Sequence, residues 1–265
     1  MSNAPGTTLI DTHAHLAAFD AALDALTRYA ATTWLGAPVP TCPGWDVLDL
    51  LAHQGMVHRW AGAALRGDRE SMGNAALLET EGRTSADPLA WVRHGAEDLA
   101  ASLRAAPDDL DALVFLPNAP AARAFWARRQ AHELTIHAVD ALAAALGRVP
   151  AADDVWFGAD LAADGIDELL LGFWSRRGGR LRSSRPYAVR VRPLDALVSW
   201  LVEVGDGPVR IARVAAGAGG GIPADTELTG TAVDLYLALW NRGGSVGDAG
   251  GILDRWREAG KVEWA

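Results

Sequence analysis

No Gly or Pro interrupts the run from Ala121 to Leu146, and Ala, Leu, Arg and Glu dominate it. That commits the stretch to one long helix, ended by Gly147 and Pro150. On such a helix Glu133 and His137 lie four residues apart, so they stack on one face about a turn from each other. Together they offer one carboxylate oxygen and one imidazole nitrogen, half of a metal site. A second segment, Val39-Pro40-Thr41-Cys42-Pro43-Gly44-Trp45-Asp46, opens another helix that carries His53 on the same face as Leu50, Val57 and Trp60. If the two helices pack, His53 completes a His/His/Glu set with one coordination position open, the pattern of a reactive zinc-type centre.

The remaining chain supplies a frame for this pair. Apolar positions Leu16, Phe19, Leu23, Leu26 and Ala30 recur at spacings of three and four, which predicts an amphipathic helix between about Leu9 and Leu35. Residues 1–8 read as a loose tail. A second helix is expected from Trp45 to Leu65, with Pro43 near its first turn. Arg66 to Asp87, polar and containing Gly, reads as a connection, and Pro88 starts a third helix through Ala105. Asp108 to Pro120 is an irregular link. With the Glu133 helix, these make a four-helix bundle the default architecture for residues 1–150, and bundle interiors are where facing helices build metal sites.

After Pro150 the pattern changes. One helix is expected over Val155–Phe173, followed by a basic Gly-containing loop, Arg176–Arg185. Tyr187–Val191, Val198–Val204, Val209–Ala212 and Glu227–Thr229 are short β-branched runs between turn residues and read as strands. Gly217–Gly221 is a turn region, Thr231–Trp240 and Ile252–Glu258 look helical, and Lys261–Trp264 reads as a last strand. Residues 151–265 therefore make a smaller α+β domain. The fold class is α + α/β in two domains, a four-helix bundle followed by a smaller α+β domain.

A chain of 265 residues, half of them hydrophobic, can bury a full core. Its net charge of −9 argues against a general nucleic-acid surface. Cys42 is the single cysteine, which excludes an internal disulfide and fits a reducing cytoplasm. No apolar stretch reaches membrane-spanning length and no secretory leader pattern is present, so the expectation is a cytoplasmic protein with no membrane partner. Most of the eleven tryptophans, including Trp45, Trp60, Trp91 and Trp126, fall on helical faces and read as core.

All seven histidines lie at or before His137, which places any imidazole chemistry in the bundle. His53 alone, on an apolar stripe, would more often be a hydrogen-bonded core residue. A carboxylate such as Glu133 on a buried face must be paired or hold a cation, and His137 above it is a natural co-ligand. The spacing E-x-x-x-H is also common in solvated surface pairs, so periodicity leaves both readings open. His58 and His132 read as surface or helix-packing residues. A rival constellation, Asp11-Thr12-His13-Ala14-His15, resembles the D-x-H-x-H stretch of amidohydrolases and TatD-type hydrolases, but a barrel would need further ligands at later strand ends. Asp11 or Thr12 reads instead as a helix cap. Cys42 reads as a small buried residue in a turn with no neighbouring base, and the Arg176–Arg185 run reads as a solvated loop rather than an anion receptor.

The segments Val39–Trp45 with Leu50-Leu51-Ala52-His53, then His132–Asp140, and finally Leu228–Arg242, resemble the mycothiol-dependent maleylpyruvate isomerase family, within the DinB-like metalloprotein superfamily. The likeness runs through nearly the whole chain in order. It implies a DinB-like four-helix bundle holding a divalent metal, zinc, through His53, Glu133 and His137, and a sterol-carrier-like α+β domain that closes over it. It further implies mycothiol as cosubstrate and a catalytic role for Arg242 at the interdomain cleft. The partners implied are a low-molecular-weight thiol and a small-molecule electrophile, in a monomer or homodimer, and the outcome is isomerisation or thiol S-transfer. A noncatalytic ligand-binding protein with a structural metal is the alternative from another class.

Overall fold

The computed structural model describes residues 6–176, 180–215 and 223–259. The expected strand at Lys261–Trp264 and the Gly217–Gly221 turn lie outside the described residues, as do Arg177, Gly178 and Gly179 of the basic loop. The chain forms two compact units, one comprising Asp11–Val114 and Pro120–Pro150, the other the described parts of Met1–Ile10, Phe115–Ala119 and Ala151–Ala265.

The first unit is helical throughout. Helix α1 spans Thr12–Ala31, and the Asp11 side chain caps it by accepting from the Ala14 amide at 2.8 Å. Helix α2, Val47–Arg66, opens on a reciprocal capping box between Asp46 and Asp49 and closes on Gly67, whose φ of 68° suits a residue without a Cβ. The segment expected to be a connection instead forms two short helices, α3 (Arg69–Met72) and α4 (Ala75–Thr84). Helix α4 lies against α2 so closely that a Cβ at Gly82 would meet the Cα of Ala52 at 2.9 Å. Helix α5 spans Pro88–Ala105, with Pro88 in its first turn as anticipated. Helix α6, Ala122–Leu146, ends at Gly147 in the left-handed conformation. The long helices form the bundle, with α1 along α6, α2 between α5 and α6, and α5 also touching α1.

Every residue of α6 from Phe125 to Ala144 is buried. Such a helix is ordinarily apolar all round, but this one encloses Arg128, Arg129, Gln130, His132, Glu133, Thr135, His137 and Asp140. Burying so many polar groups is stable only where they find partners.

In the second unit a 3₁₀ turn, Ala152–Asp154, precedes α7, Ala159–Asp167, which continues as a π-helical segment, Glu168–Trp174. A sheet follows, with strands β1 (Tyr187–Pro193), β2 (Val198–Val204), β3 (Arg210–Ala215), β4 (Thr226–Gly230) and β5 (Gly247–Asp248) in the order β3-β2-β1-β4-β5. Strands β1 and β4 pair in parallel and the other pairs are antiparallel. Helices α8 (Ala232–Leu239) and α9 (Ile252–Ala259) complete the unit. Val189, Val191, Trp200, Val202 and Val204 share one sheet face and are all buried. Helical residues followed by a small mixed sheet with helices is the fold class expected from the sequence.

A buried ion pair fastens this unit. Asp167, fully buried, accepts from Arg213 Nε at 2.6 Å and Nη2 at 2.5 Å, and from Trp200 Nε1 at 2.9 Å. The same guanidinium donates to the Thr7 hydroxyl and carbonyl. Arg213→Ala removes the countercharge of a carboxylate that has no exposure to water, and the expected loss is about 3 kcal/mol in urea unfolding. A loss within a few tenths would show that Asp167 does not depend on this partner.

Candidate metal centre

The turn from Val39 to Trp45 is closed at its base. The Val39 amide donates to the Trp45 carbonyl, and the Cys42 and Trp45 amides donate to Val39 and Cys42 carbonyls. Gly44 takes φ 91°, a conformation that favours glycine over residues with a Cβ. This turn hands the chain to α2, which brings His53 to face Glu133 and His137 on α6.

The three predicted side chains converge. Glu133 Oε1 lies 3.8 Å from His53 Nε2 and 3.3 Å from His137 Nε2, and one ligand atom from each residue lies within 4.8 Å of the others. All three residues are buried. A tetrahedral cation with bonds of ~2.0–2.1 Å sets its ligand atoms ~3.3 Å apart, so the spacings of 3.3 and 3.8 Å fit a dication with little adjustment. Two imidazole nitrogens with one carboxylate oxygen are a donor set suited to zinc. On these grounds the residues present fit a divalent metal.

Charge around the three is arranged in detail. Glu133 Oε2 accepts from Arg129 Nη2 at 3.0 Å, which leaves Oε1 for the imidazoles. Burial by itself would push the Glu133 carboxyl up, but the neighbouring His137 and His53 imidazoles and the Arg129 charge outweigh it and hold the group well below the usual carboxylate range. For His137 burial works downward, yet the hydrogen bonds to Asp140 and Glu133 raise its pKa to about 9. The Asp140 contact runs from His137 Nδ1 to Oδ2 at 3.0 Å.

Trp45 is half-buried against this group, its ring centroid 5.0 Å from that of His53 and 6.0 Å from that of His137, stacked on the latter at 11°. It is a wall of the candidate site, where the sequence suggested only core packing. His58 and His132 are fully buried, the packing half of their expected role. Burial drives the His58 pKa down to about 3, and its Nε2 pairs with Gln54 Nε2 at 2.8 Å as the acceptor of a neutral ring. Cys42 is only half-buried and does have a carboxylate neighbour, its Sγ donating to Asp140 Oδ2 at 3.2 Å, two corrections to the sequence reading.

Arg242 belongs to the second unit, just beyond α8, where its Nη1 donates to the Trp240 carbonyl at 2.8 Å. In the rival motif Asp11 caps α1, His13 is exposed, and His15 is buried with its ring 6.0 Å from His132. Those residues lie on a helix and not at a strand end. Sequence reasoning missed Arg129, Asp140 and Trp45 as parts of the site. The signal for the first two was present, since Arg129, Glu133, His137 and Asp140 step along one helix face at spacings of four, four and three.

Known proteins agree with this architecture. The model of the mycothiol maleylpyruvate isomerase (MDMPI) N-terminal domain matches residues 16–143, and that of the MDMPI C-terminal domain matches residues 160–258. No curated protein sequence matches the chain. Among solved structures, that of a mycothiol-dependent maleylpyruvate isomerase shares the fold, with a TM-score of 0.59 at 15% identity over 92% of this chain and 96% of that one. A variant of the same kind of enzyme with one histidine changed to alanine gives a TM-score of 0.58 at 16% identity over the same shares. With its bundle and its α+β region each matched in order, the chain belongs to the mycothiol maleylpyruvate isomerase family.

Proposed function

We propose that this protein is a metal-dependent enzyme that uses a low-molecular-weight thiol, mycothiol, against a small electrophile, with isomerisation of a maleylpyruvate-like substrate as the leading reaction. The observation that carries the reading is the convergence of His53, Glu133 and His137 within a region matched by the family model. His53, Glu133 and His137 would hold the cation, with zinc favoured by the donor set. A dication bound there supplies stabilisation of a thiolate at neutral pH, where a free thiol is mostly protonated.

The chain's own residues prepare for that. Arg129 restrains one oxygen of Glu133 and so presents the other to the shared point. Trp45 covers the imidazoles with an apolar ring, which limits water around the reacting sulfur. Arg242 takes the catalytic role that the family resemblance implies for it. A thiolate that adds to a conjugated double bond leaves a single bond free to rotate, and its departure gives the isomer. If the sulfur stays, the outcome is S-transfer, and the same ligands serve both.

Purified protein is expected to carry about one zinc per chain and to convert maleylpyruvate only with mycothiol present, product mass separating isomer from adduct. His53→Ala should lower zinc affinity and turnover by more than about 100-fold, whereas Arg242→Ala should lower turnover and leave zinc in place. A zinc-loaded wild type that converts no electrophile with any small thiol would transfer the case to a noncatalytic ligand-binding protein. Stoichiometric zinc retained in His53→Ala would remove the ligand assignment.

A further inference from the structure

Asp140 stands outside the set of three, yet it is the most elaborately held side chain near it. It is fully buried and sits one helical turn beyond His137 on α6. Its Oδ1 accepts from the Thr41 hydroxyl at 2.6 Å. Its Oδ2 accepts from the Cys42 thiol at 3.2 Å and faces His137 Nδ1 at 3.0 Å. Both outside donors come from the closed Val39–Trp45 turn, nearly a hundred residues away in sequence. A carboxylate without access to water is costly unless its oxygens are satisfied, and here three donors satisfy them.

The direction of these bonds matters. Thr41 and Cys42 spend their hydrogens on Asp140, so its oxygens act as acceptors and the remaining contact requires His137 Nδ1 to carry a hydrogen. A neutral ring protonated at Nδ1 has its lone pair on Nε2, the nitrogen 3.3 Å from Glu133 Oε1. The opposite tautomer would aim an N–H at the point where the ligand atoms meet.

We propose that Asp140 is a positioning residue that fixes His137 in the tautomer with Nε2 free to bind a cation, and that the Thr41–Cys42 turn is the clamp that holds Asp140 in place. This rests on the metal reading above. It gives the Thr-Cys-Pro-Gly-Trp segment two tasks, since Thr41 and Cys42 secure the ligand's far side while Trp45 covers its near side.

The test compares Asp140→Ala and Asp140→Leu, the latter filling the vacated volume, with Thr41→Val, Cys42→Ala and Cys42→Ser. Zinc affinity is measured by competition with a chromophoric chelator, and the His137 ring is read by ¹H–¹⁵N spectra of metal-free protein at about pH 10, where the ring is neutral. Both Asp140 variants should bind zinc ~10–100-fold more weakly and should show a smaller share of the Nδ1–H ring tautomer than wild type does. Thr41→Val and Cys42→Ala should lose a few-fold, with Cys42→Ser restoring the wild-type value because it keeps a donor. A folded Asp140 variant with wild-type zinc affinity, or with the wild-type ring spectrum, overturns the proposal. If wild type takes up no zinc, the metal reading fails, and the ring spectra still decide whether Asp140 sets the tautomer.

Discussion

Glu133→Ala is expected to strip the protein of zinc and to destabilise the metal-free fold more than His53→Ala does. Glu133 is 8% exposed and Arg129 only 2%, and their carboxylate and guanidinium are 3.0 Å apart. Removing the carboxylate takes away one of three ligands and at the same time leaves a buried cation without the anion beside it. Breaking one side of a buried pair commonly costs ~3–5 kcal/mol, whereas truncating His53 leaves Glu133 with Arg129 and His137 still beside it. Outer partners of a ligand are worth ~10–100-fold in metal affinity, so loss of the ligand itself should exceed ~100-fold. Chelator competition gives the first quantity, and urea unfolding in excess chelator gives the second. Arg129→Met in the Glu133→Ala background should recover part of the lost stability without recovering zinc. If that double variant is no more stable than Glu133→Ala alone, the two side chains are not energetically coupled.

The backbone of the site was legible in the sequence because its signals are local. Helix α6 could be bounded by the lack of Gly and Pro and by Gly147, and four-residue spacing put Glu133 and His137 on one face. What was hidden depends on contacts far apart in the chain. Asp140 carried no role of its own, and Cys42 looked solitary, because the bond between them spans 98 positions. Periodicity could not flag Asp140 as buried, since α6 is enclosed on every side and no solvent face survives to contrast with. Helix α4 was missed for the opposite reason: all but Gly82 of it stays at least partly accessible, and its polar composition resembles a linker. The two-residue strand β5 and the π-helical end of α7 follow from tertiary packing, for which short sequence windows carry no pattern.

Zinc affinity should rise steeply between pH 7 and pH 9. Hydrogen bonds to Asp140 and Glu133 overcome burial and raise the His137 pKa from 6.5 to about 9, so in metal-free protein at neutral pH the ring holds a proton that a cation must displace. Each pH unit well below that value costs about tenfold in apparent affinity, and at pH 9 about half the rings still hold the proton, which makes the rise about 50-fold across the window. The same proton has a signature in stability. Between 6.5 and about 9 the folded protein binds a proton that the unfolded chain has released, so stability falls as pH rises there. The contribution is fully present below 6.5 and is lost through about 9, with an expected size of about 3 kcal/mol. Thermal unfolding in chelator should therefore show a falling midpoint over this range, and zinc-loaded protein should show none of that fall. Asp140→Ala removes the strongest of the upward influences on His137, so both curves should move to lower pH together. A zinc affinity that stays flat from pH 7 to 9, beside a metal-free midpoint that falls as expected, would separate the two observations: His137 would carry the proton without being a ligand, and the cation would have to be held by other atoms.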